Sequence, residues 1–173
     1  MTTTLINVLA FYLGWFACIL GAGRGYPFIG PLVVTILLGV HFSLTPDVTR
    51  EVSLILLVGV LGSSLDTVLM LSGVYSFPGH SLSWLCPLWI TALWLNFATT
   101  FNTSLSWLRR RYTLAAVLGA VAGPLSYYAG ARLGALRLNL DSTLTLLILA
   151  AIWGVLLPGL LRLAVFVPQR RAG

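Results

Sequence analysis

Charged residues are scarce in this chain of 173 residues. It contains ten arginines, no lysine and only four acidic residues, so charged side chains make up 8% of the sequence and the formal net charge is +6. An ordinary soluble domain has about 25% charged residues, and it needs polar side chains to cover its core. Hydrophobic residues account for 58%. This composition excludes a soluble enzyme and a disordered tail, and it predicts a protein embedded in a membrane.

The usual sequence signatures of catalysis and nucleotide binding are also missing. The chain has no Walker loop, no GxGxxG before a helix, no GxSxG and no convincing Ser/His/Asp set. His41 and His80 are isolated, and no other His, Cys or acid stands at the spacing of metal ligands. We therefore expect no metal and no cofactor. Because the arginines separate apolar segments and form no basic stripe, nucleic acid is not expected as a partner.

Long apolar segments are what the chain has in abundance. A helix needs about 20 apolar residues to cross about 30 Å of hydrocarbon. Six segments have this character, at approximately residues 4–22, 28–44, 51–71, 84–108, 114–133 and 144–167. They lack the alternation of polar and apolar residues typical of membrane β-strands. We predict an all-α membrane protein, a six-transmembrane-helix bundle that forms a single integral membrane domain over residues 1–173.

The distribution of arginine predicts the orientation. One side of the bundle carries Arg50, Arg109, Arg110, Arg111, Arg170 and Arg171. The other side carries Arg24, Arg137 and, at the end of its helix, Arg132. Since arginine is enriched in cytoplasmic loops, both termini are predicted to be cytoplasmic. The outer loops are then residues 23–27, 72–83 and 134–143, and the first segment lacks the positive stretch of a cleaved signal peptide.

The third span carries the most informative residue. Gly59, Gly62, Ser63 and Asp66 form a single stripe, while Leu57, Leu61, Leu65 and Val68 lie opposite and can face lipid. An aspartate inside the hydrocarbon layer costs about 2.5–3.5 kcal/mol on insertion scales, so it needs a partner or a water-filled cavity. Arg132, at comparable depth in the fifth span, is the predicted partner. The predicted pair of Asp66 and Arg132 can be interpreted as a structural ion pair or as a functional site, and we give the two interpretations equal weight.

The fourth and fifth spans supply further polar groups. One half of the fourth helix carries Asn96, Thr99, Thr100, Asn102, Thr103 and Ser106. Hydroxyl groups can bond back to their own helix, whereas the two asparagines either join helices or contact a ligand. In the fifth span Pro124 is expected to kink or break the helix, and Tyr128 and Arg132 follow it. Cys18 and Cys86 lie toward the outer ends of their spans, where they are either a disulfide or small apolar residues.

These residues form the predicted site. The catalytic candidates are Asp66 and Arg132, because a guanidinium can bind a carboxylate or phosphate head group while a buried carboxylate orients it or acts as a base. The substrate-binding candidates are Asn96, Thr99, Thr100, Asn102 and Tyr128.

Several motifs resemble those of a known family. They are LGWFAC at residues 13–18, LGSSLD at 61–66, PLWITALW at 87–94, FATTFNTSLSWL at 97–108 and GPLSYYAGARLGA at 123–135. They resemble the small bacterial inner-membrane proteins of domain-of-unknown-function family 2878. The resemblance implies a Gram-negative inner-membrane protein without an established activity, whose gene tends to lie beside genes for fatty-acid modification. It supplies no catalytic residues.

Three functions fit these observations, and the sequence leaves open whether the protein is an enzyme. The leading hypothesis is a protein that acts on lipid or fatty-acyl groups or supports their modification. The alternatives are a small proton-coupled transporter and a structural membrane subunit without a site. The expected partners are membrane lipids, with a second copy of the chain or a partner membrane enzyme as further candidates.

Overall fold

The computed structural model describes residues 2–166, and these are mainly helical. The helices are α1 (Thr2–Gly23), α2 (Ile29–Ser43), α3 (Val48–Leu71), α4 (Leu88–Ala98), α5 (Tyr112–Arg132) and α6 (Ser142–Phe166). The all-helical prediction is confirmed; in the connecting segments, two short strands, β1 (Tyr75–Ser76) and β2 (Arg137–Leu138), pair in antiparallel fashion. Arg170, Arg171 and the predicted end of the sixth span at residue 167 lie outside the described residues.

The outside of the bundle is apolar and its inside contains polar groups. Helices α1, α3, α5 and α6 are long and apolar enough to cross a membrane, whereas α2 and α4 are shorter apolar helices. Large apolar side chains such as Leu9, Leu32 and Val60 are more than half exposed, while Asp66 and Asn96 are buried. A soluble protein has the opposite distribution. The structure therefore supports the predicted helical membrane protein, with four of the six predicted spans long enough as single helices.

The fourth predicted span is not one continuous helix. We expect a helix over residues 84–108, but α4 ends at Ala98 and is followed by turns and a short 3₁₀ turn at Ser106–Leu108. The Thr99 and Thr100 hydroxyls donate to the carbonyl oxygens three residues earlier, at 2.7 and 2.6 Å. Such bonds compete with regular helical hydrogen bonding, so a cluster of Thr, Asn and Ser favours turns. Conversely, α5 is continuous through Pro124, so of the two expected effects of this residue the break does not occur.

Small residues bring the helices into close contact. The stripe predicted on α3 is buried throughout. On the opposite side Leu57, Leu61 and Val68 are exposed as predicted, whereas Leu65 is half-buried and packs against the core. Between α5 and α6, a Cβ atom at Gly119 would lie 2.3 Å from the Trp153 carbonyl oxygen. The two helix backbones can approach this closely only because residue 119 has no side chain.

The connecting segments gather at two ends of the bundle. The strands β1 and β2 join two of the predicted outer loops, with Tyr75 opposite Leu138. The first predicted outer loop reaches the same end, because a Cβ atom at Gly23 would lie 2.2 Å from the Leu133 carbonyl oxygen. At the other end, the Arg50 guanidinium donates to the Ala164 carbonyl oxygen at 2.9 Å. We call these the ribbon end and the arginine end.

The close approach of α5 and α6 generates a stability prediction. Gly119→Ala places a methyl group against backbone, and overpacking of this kind typically lowers the free energy of unfolding by about 1–3 kcal/mol. Gly39→Ala is the matched control, because a Cβ atom there meets nothing within 4 Å. Denaturant unfolding in detergent micelles, followed by circular dichroism, measures both. Equal stability of the two variants would contradict this packing.

Candidate functional site

The predicted catalytic residue Asp66 lies in a closed cluster of aromatic donors. Its side chain is 1% exposed. One carboxylate oxygen accepts the Tyr127 hydroxyl at 2.8 Å and also the Tyr75 hydroxyl, and the other accepts the Trp94 indole N–H at 2.5 Å. These donors come from α5, β1 and α4, so the carboxylate on α3 connects four elements of the chain.

Each donor is held in place by its own local structure. Pairing of β1 with β2 fixes the backbone of Tyr75. Burial raises the pKa of the Tyr75 hydroxyl above its ordinary value, so this group stays protonated and donates. Gly62 leaves room for the Trp94 ring, which stacks on Trp153 with ring centroids 5.3 Å apart. The cluster is thus packed on every described side by aromatic rings and small residues.

The predicted pair between Asp66 and Arg132 is wrong. Among residues 2–166 the one ion pair joins His41 to Glu51, and all three side-chain donors to Asp66 are aromatic. Arg132 is exposed and lines an open cavity at the ribbon end together with Tyr128. Of Asp66 and Arg132, only Arg132 lines that cavity, and Asp66 is enclosed by its aromatic donors.

The residue that the sequence interpretation missed in α5 is Tyr127. It is 8% exposed, whereas the neighbouring candidate Tyr128 is 40% exposed. The signal was present in the spacing, because Tyr127 continues the buried face formed by Gly119, Gly123 and Gly130. A helix face marked by close-packed glycines points to the interior, so the tyrosine on that face is the one available to a buried carboxylate.

A second polar cluster lies near the arginine end, and it lines a cavity. The His41 Nε2 atom lies 3.0 Å from Glu51 Oε1, and the Asn102 amide donates to Glu51 Oε2 at 2.7 Å. The Arg109 guanidinium in turn donates to the side-chain Oδ1 atom of Asn102 at 2.9 Å. A continuous hydrogen-bonded series of four side chains therefore runs from α2 through α3 to the segment that follows α4. We call it the Glu51 series.

The cavity beside this series has a volume of about 480 Å³ and both polar and apolar walls. Polar groups come from all four members of the Glu51 series and from Asn7, among others. Apolar lining comes from Ile6, Ala10, Leu37, Val40 and Leu44. Its volume lies within the range of about 300–1,000 Å³ that is common for small-molecule sites.

The start of α3 places Glu51 at the cavity. The Asp47 side chain accepts the backbone N–H of Arg50 at 3.1 Å and caps the helix. Glu51 lies in the first turn, where the positive end of the helix dipole stabilises a carboxylate. It is only 4% exposed, yet it lines the cavity. This carboxylate combines low exposure with access to open space, which Asp66 lacks.

The break after α4 builds another wall of the cavity. The Asn7 amide donates to the carbonyl and hydroxyl oxygens of Thr99, both at 3.2 Å, and its own oxygen accepts the Ser104 hydroxyl at 2.7 Å. These bonds tie α1 to the non-helical segment. Backbone outside regular helix is tolerated at membrane depth where protein surrounds it or where it lines a cavity, and both conditions hold here.

The predicted substrate-binding residues divide into three groups. Asn96, Thr99 and Asn102 line the cavity, although Asn96 also donates to the Phe11 carbonyl oxygen at 2.9 Å and so joins two helices. Thr100 is buried, and its hydroxyl bonds to its own helix. Tyr128 lies at the ribbon end. The expected return of hydroxyl groups to their own backbone is confirmed for Thr99, Thr100, Thr103 and Ser106.

The sequence interpretation also missed His41 and Glu51. The two residues lie ten positions apart, one at the end of α2 and one in the first turn of α3. A tight helical hairpin places such positions at one depth, which is the signal that could have found them. Among residues 2–166, no group of three His, Cys, Asp or Glu side chains could hold a metal ion. Cys18 and Cys86 are both free and buried.

Comparison with known proteins identifies the family. The family described as "Protein of unknown function (DUF2878)" matches residues 4–159. The chain belongs to this family. No curated protein and no solved structure matches it significantly. The matched residues include the Asp66 cluster and every side chain of the Glu51 series.

The Asp66 cluster generates a prediction that separates it from Arg132. Asp66→Ala leaves three buried donors without an acceptor, at a typical cost of about 1–3 kcal/mol for each. Arg132→Gln removes an exposed charge and is expected to change the free energy of unfolding by less than about 0.5 kcal/mol. Denaturant unfolding in micelles measures both changes. Similar losses in the two variants would indicate an ion pair and contradict the observed geometry.

Proposed function

We propose that this protein binds a lipid or fatty-acyl group in the cavity beside the Glu51 series and acts on it or presents it to a partner membrane enzyme. The observation that carries the proposal is a single cavity lined by both charged and apolar side chains. An amphiphile needs both kinds of surface.

Arg109 is the proposed contact for an anionic head group. Its Nη1 atom donates to Asn102, and its Nε atom donates to the Ser106 carbonyl oxygen at 3.3 Å. A guanidinium carries five N–H donors in a planar fork, so donors remain for a carboxylate or phosphate. Asn102 holds the guanidinium on the cavity wall and is a positioning residue.

The His41–Glu51 pair is the proposed proton-handling unit. A histidine ring can both accept and release a proton, and the Glu51 carboxylate, 3.0 Å from the Nε2 atom, orients this ring. Both side chains line the cavity. The pair can therefore take a proton from a bound head group or deliver one to it.

The apolar wall supplies a route for an acyl chain. Ile6 and Val40 line the cavity and are also 38% and 43% exposed on the outer surface of the bundle. These residues belong to α1 and α2, so the cavity wall continues into surface suited to lipid. An acyl chain can enter sideways from the bilayer while its head group meets the polar end.

The proposed setting is the bacterial inner membrane, with six crossings and both termini in the cytoplasm. The gathering of the three predicted outer loops at the ribbon end supports an alternation of helix directions. In this topology α4 and the turns after it form one interrupted crossing. The arginine end, with the cavity, then faces the cytoplasmic leaflet, where positively charged residues are enriched.

A small proton-coupled transporter is the second candidate. The interrupted crossing after Ala98 favours it, since broken helices at membrane depth are typical of carrier sites. The Asp66 cluster, however, is closed, because Trp94, one of its donors, packs against the rings of Phe97 and Trp153. Flux in proteoliposomes that depends on a proton gradient would favour this candidate.

Binding of a photoreactive fatty acid to the purified protein in nanodiscs tests the site. Arg109→Gln removes charge-assisted hydrogen bonds worth about 1.5–3 kcal/mol, so labelling is expected to need at least about tenfold more probe. Arg110→Gln is the matched control, because Arg110 is exposed and does not line the cavity. Mass spectrometry locates the labelled residues. Equal labelling of both variants, or labelling away from the cavity, would contradict the proposal.

Lipid analysis of a deletion strain tests the proposed action. The deletion is expected to change the acyl composition of the membrane, and the wild-type gene is expected to restore it. Glu51→Gln should fail to restore it because the proton-handling carboxylate is lost. Asp141→Asn is the control, since Asp141 is an exposed acid that caps α6 and an asparagine can also cap. Unchanged lipids in the deletion strain would remove the lipid-modifying function.

A further inference from the structure

We propose that the cavity at the ribbon end is a second binding site, specific for an anionic phosphate group. This cavity has a volume of about 500 Å³ and is separate from the one beside the Glu51 series. Its lining includes two arginines, Arg132 and Arg137, together with Tyr128, Pro78 and Ser142. The inference does not depend on the proposed function, because the two cavities share no lining residue.

The two guanidinium groups reach the cavity from different elements. Arg132 is the last residue of α5, and Arg137 is the first residue of β2. Pairing of Arg137 with Ser76 in the ribbon fixes its backbone, and the turn between the arginines includes Gly134 at φ 81°. This turn lets the chain reverse so that both arginines line one cavity.

No carboxylate neutralises this pair of charges. The cavity lining contains no acidic residue. Within residues 2–166 the single ion pair is His41–Glu51 at the other end, so neither arginine is paired with an acid there. The acid nearest in sequence is Asp141, and its Oδ1 atom accepts the backbone N–H groups of Thr143 and Leu144 at 2.9 and 3.1 Å. That oxygen is occupied in capping α6.

A phosphate group matches what the cavity offers. Each of the two planar guanidinium groups can bind a phosphate through a pair of hydrogen bonds. The negative charge of the phosphate would balance the two arginines, which have no acidic partner. Ser142 adds a hydroxyl group to the cavity lining. The exposed ring of Tyr128 lies beside the site, as aromatic rings do at the level of lipid head groups. The phosphate can belong to a lipid head group or be free in solution.

Native mass spectrometry of the protein released from nanodiscs tests this site. The nanodiscs contain phosphatidylcholine with or without phosphatidylglycerol, and the retained lipid is counted. The wild type is expected to retain phosphatidylglycerol, and R132Q/R137Q should reduce its retention at least about tenfold. R24Q/R162Q is the matched control, because it removes the same number of exposed arginines from outside the cavity. Retention equal in the two double variants would overturn the proposal.

A second arm distinguishes the source of the phosphate and controls for folding. Inorganic phosphate is titrated while the unfolding temperature of the protein is recorded. A rise in this temperature for the wild type but not for R132Q/R137Q indicates a site for free phosphate, whereas lipid retention without such a rise indicates a head-group site. If R132Q/R137Q unfolds early, R132Q and R137Q are tested singly, and each is expected to weaken the binding. The proposal would also be overturned if wild type and R137Q retained the same amount of phosphatidylglycerol and showed the same change in unfolding temperature with phosphate.

Discussion

A carboxylate inside a membrane bundle has no water around it, so its oxygens must find donors within the protein. Asp66 meets this requirement with two tyrosine hydroxyls and one indole N–H. Since each donor comes from a different element, satisfying one side chain fixes the relative positions of α3, α4, α5 and the ribbon. An Asp at this depth is costly by itself, and the cost is offset only when the whole bundle is assembled.

The two buried carboxylates of the bundle have different surroundings, and this difference separates their roles. Asp66 is enclosed by aromatic rings, and all of its partners are donors that stay in place. Glu51 has a histidine and an amide as partners and lies against open space. A group that handles protons or contacts a ligand needs that access. We therefore interpret the closed cluster as a structural anchor and the open series as the proposed site.

The sequence alone predicted those features of the structure that depend on the residue spacing within a single helix. The buried stripe of α3, its lipid-facing side and the return of Thr and Ser hydroxyls to their own backbone follow from local spacing. Partners across the bundle were not predictable in this way. Arg132 has the charge that suits Asp66, but the turn at Gly134 and the ribbon carry it to a different cavity. Hydrophobicity likewise did not indicate that the helix ends at Ala98, because residues 99–106 remain buried or half-buried inside the bundle although they form turns.

The side chains around Asp66 are closely packed, whereas Glu51 lines a cavity. Thiol labelling in nanodiscs tests this difference most directly, with Thr103→Cys on the cavity wall and Ser63→Cys on the stripe of Asp66, each in a chain whose Cys18 and Cys86 are replaced by alanine. The account predicts that a small hydrophilic maleimide modifies position 103 readily and leaves position 63 unmodified in the folded protein. Equal modification of both positions, or modification of position 63 alone, would contradict it.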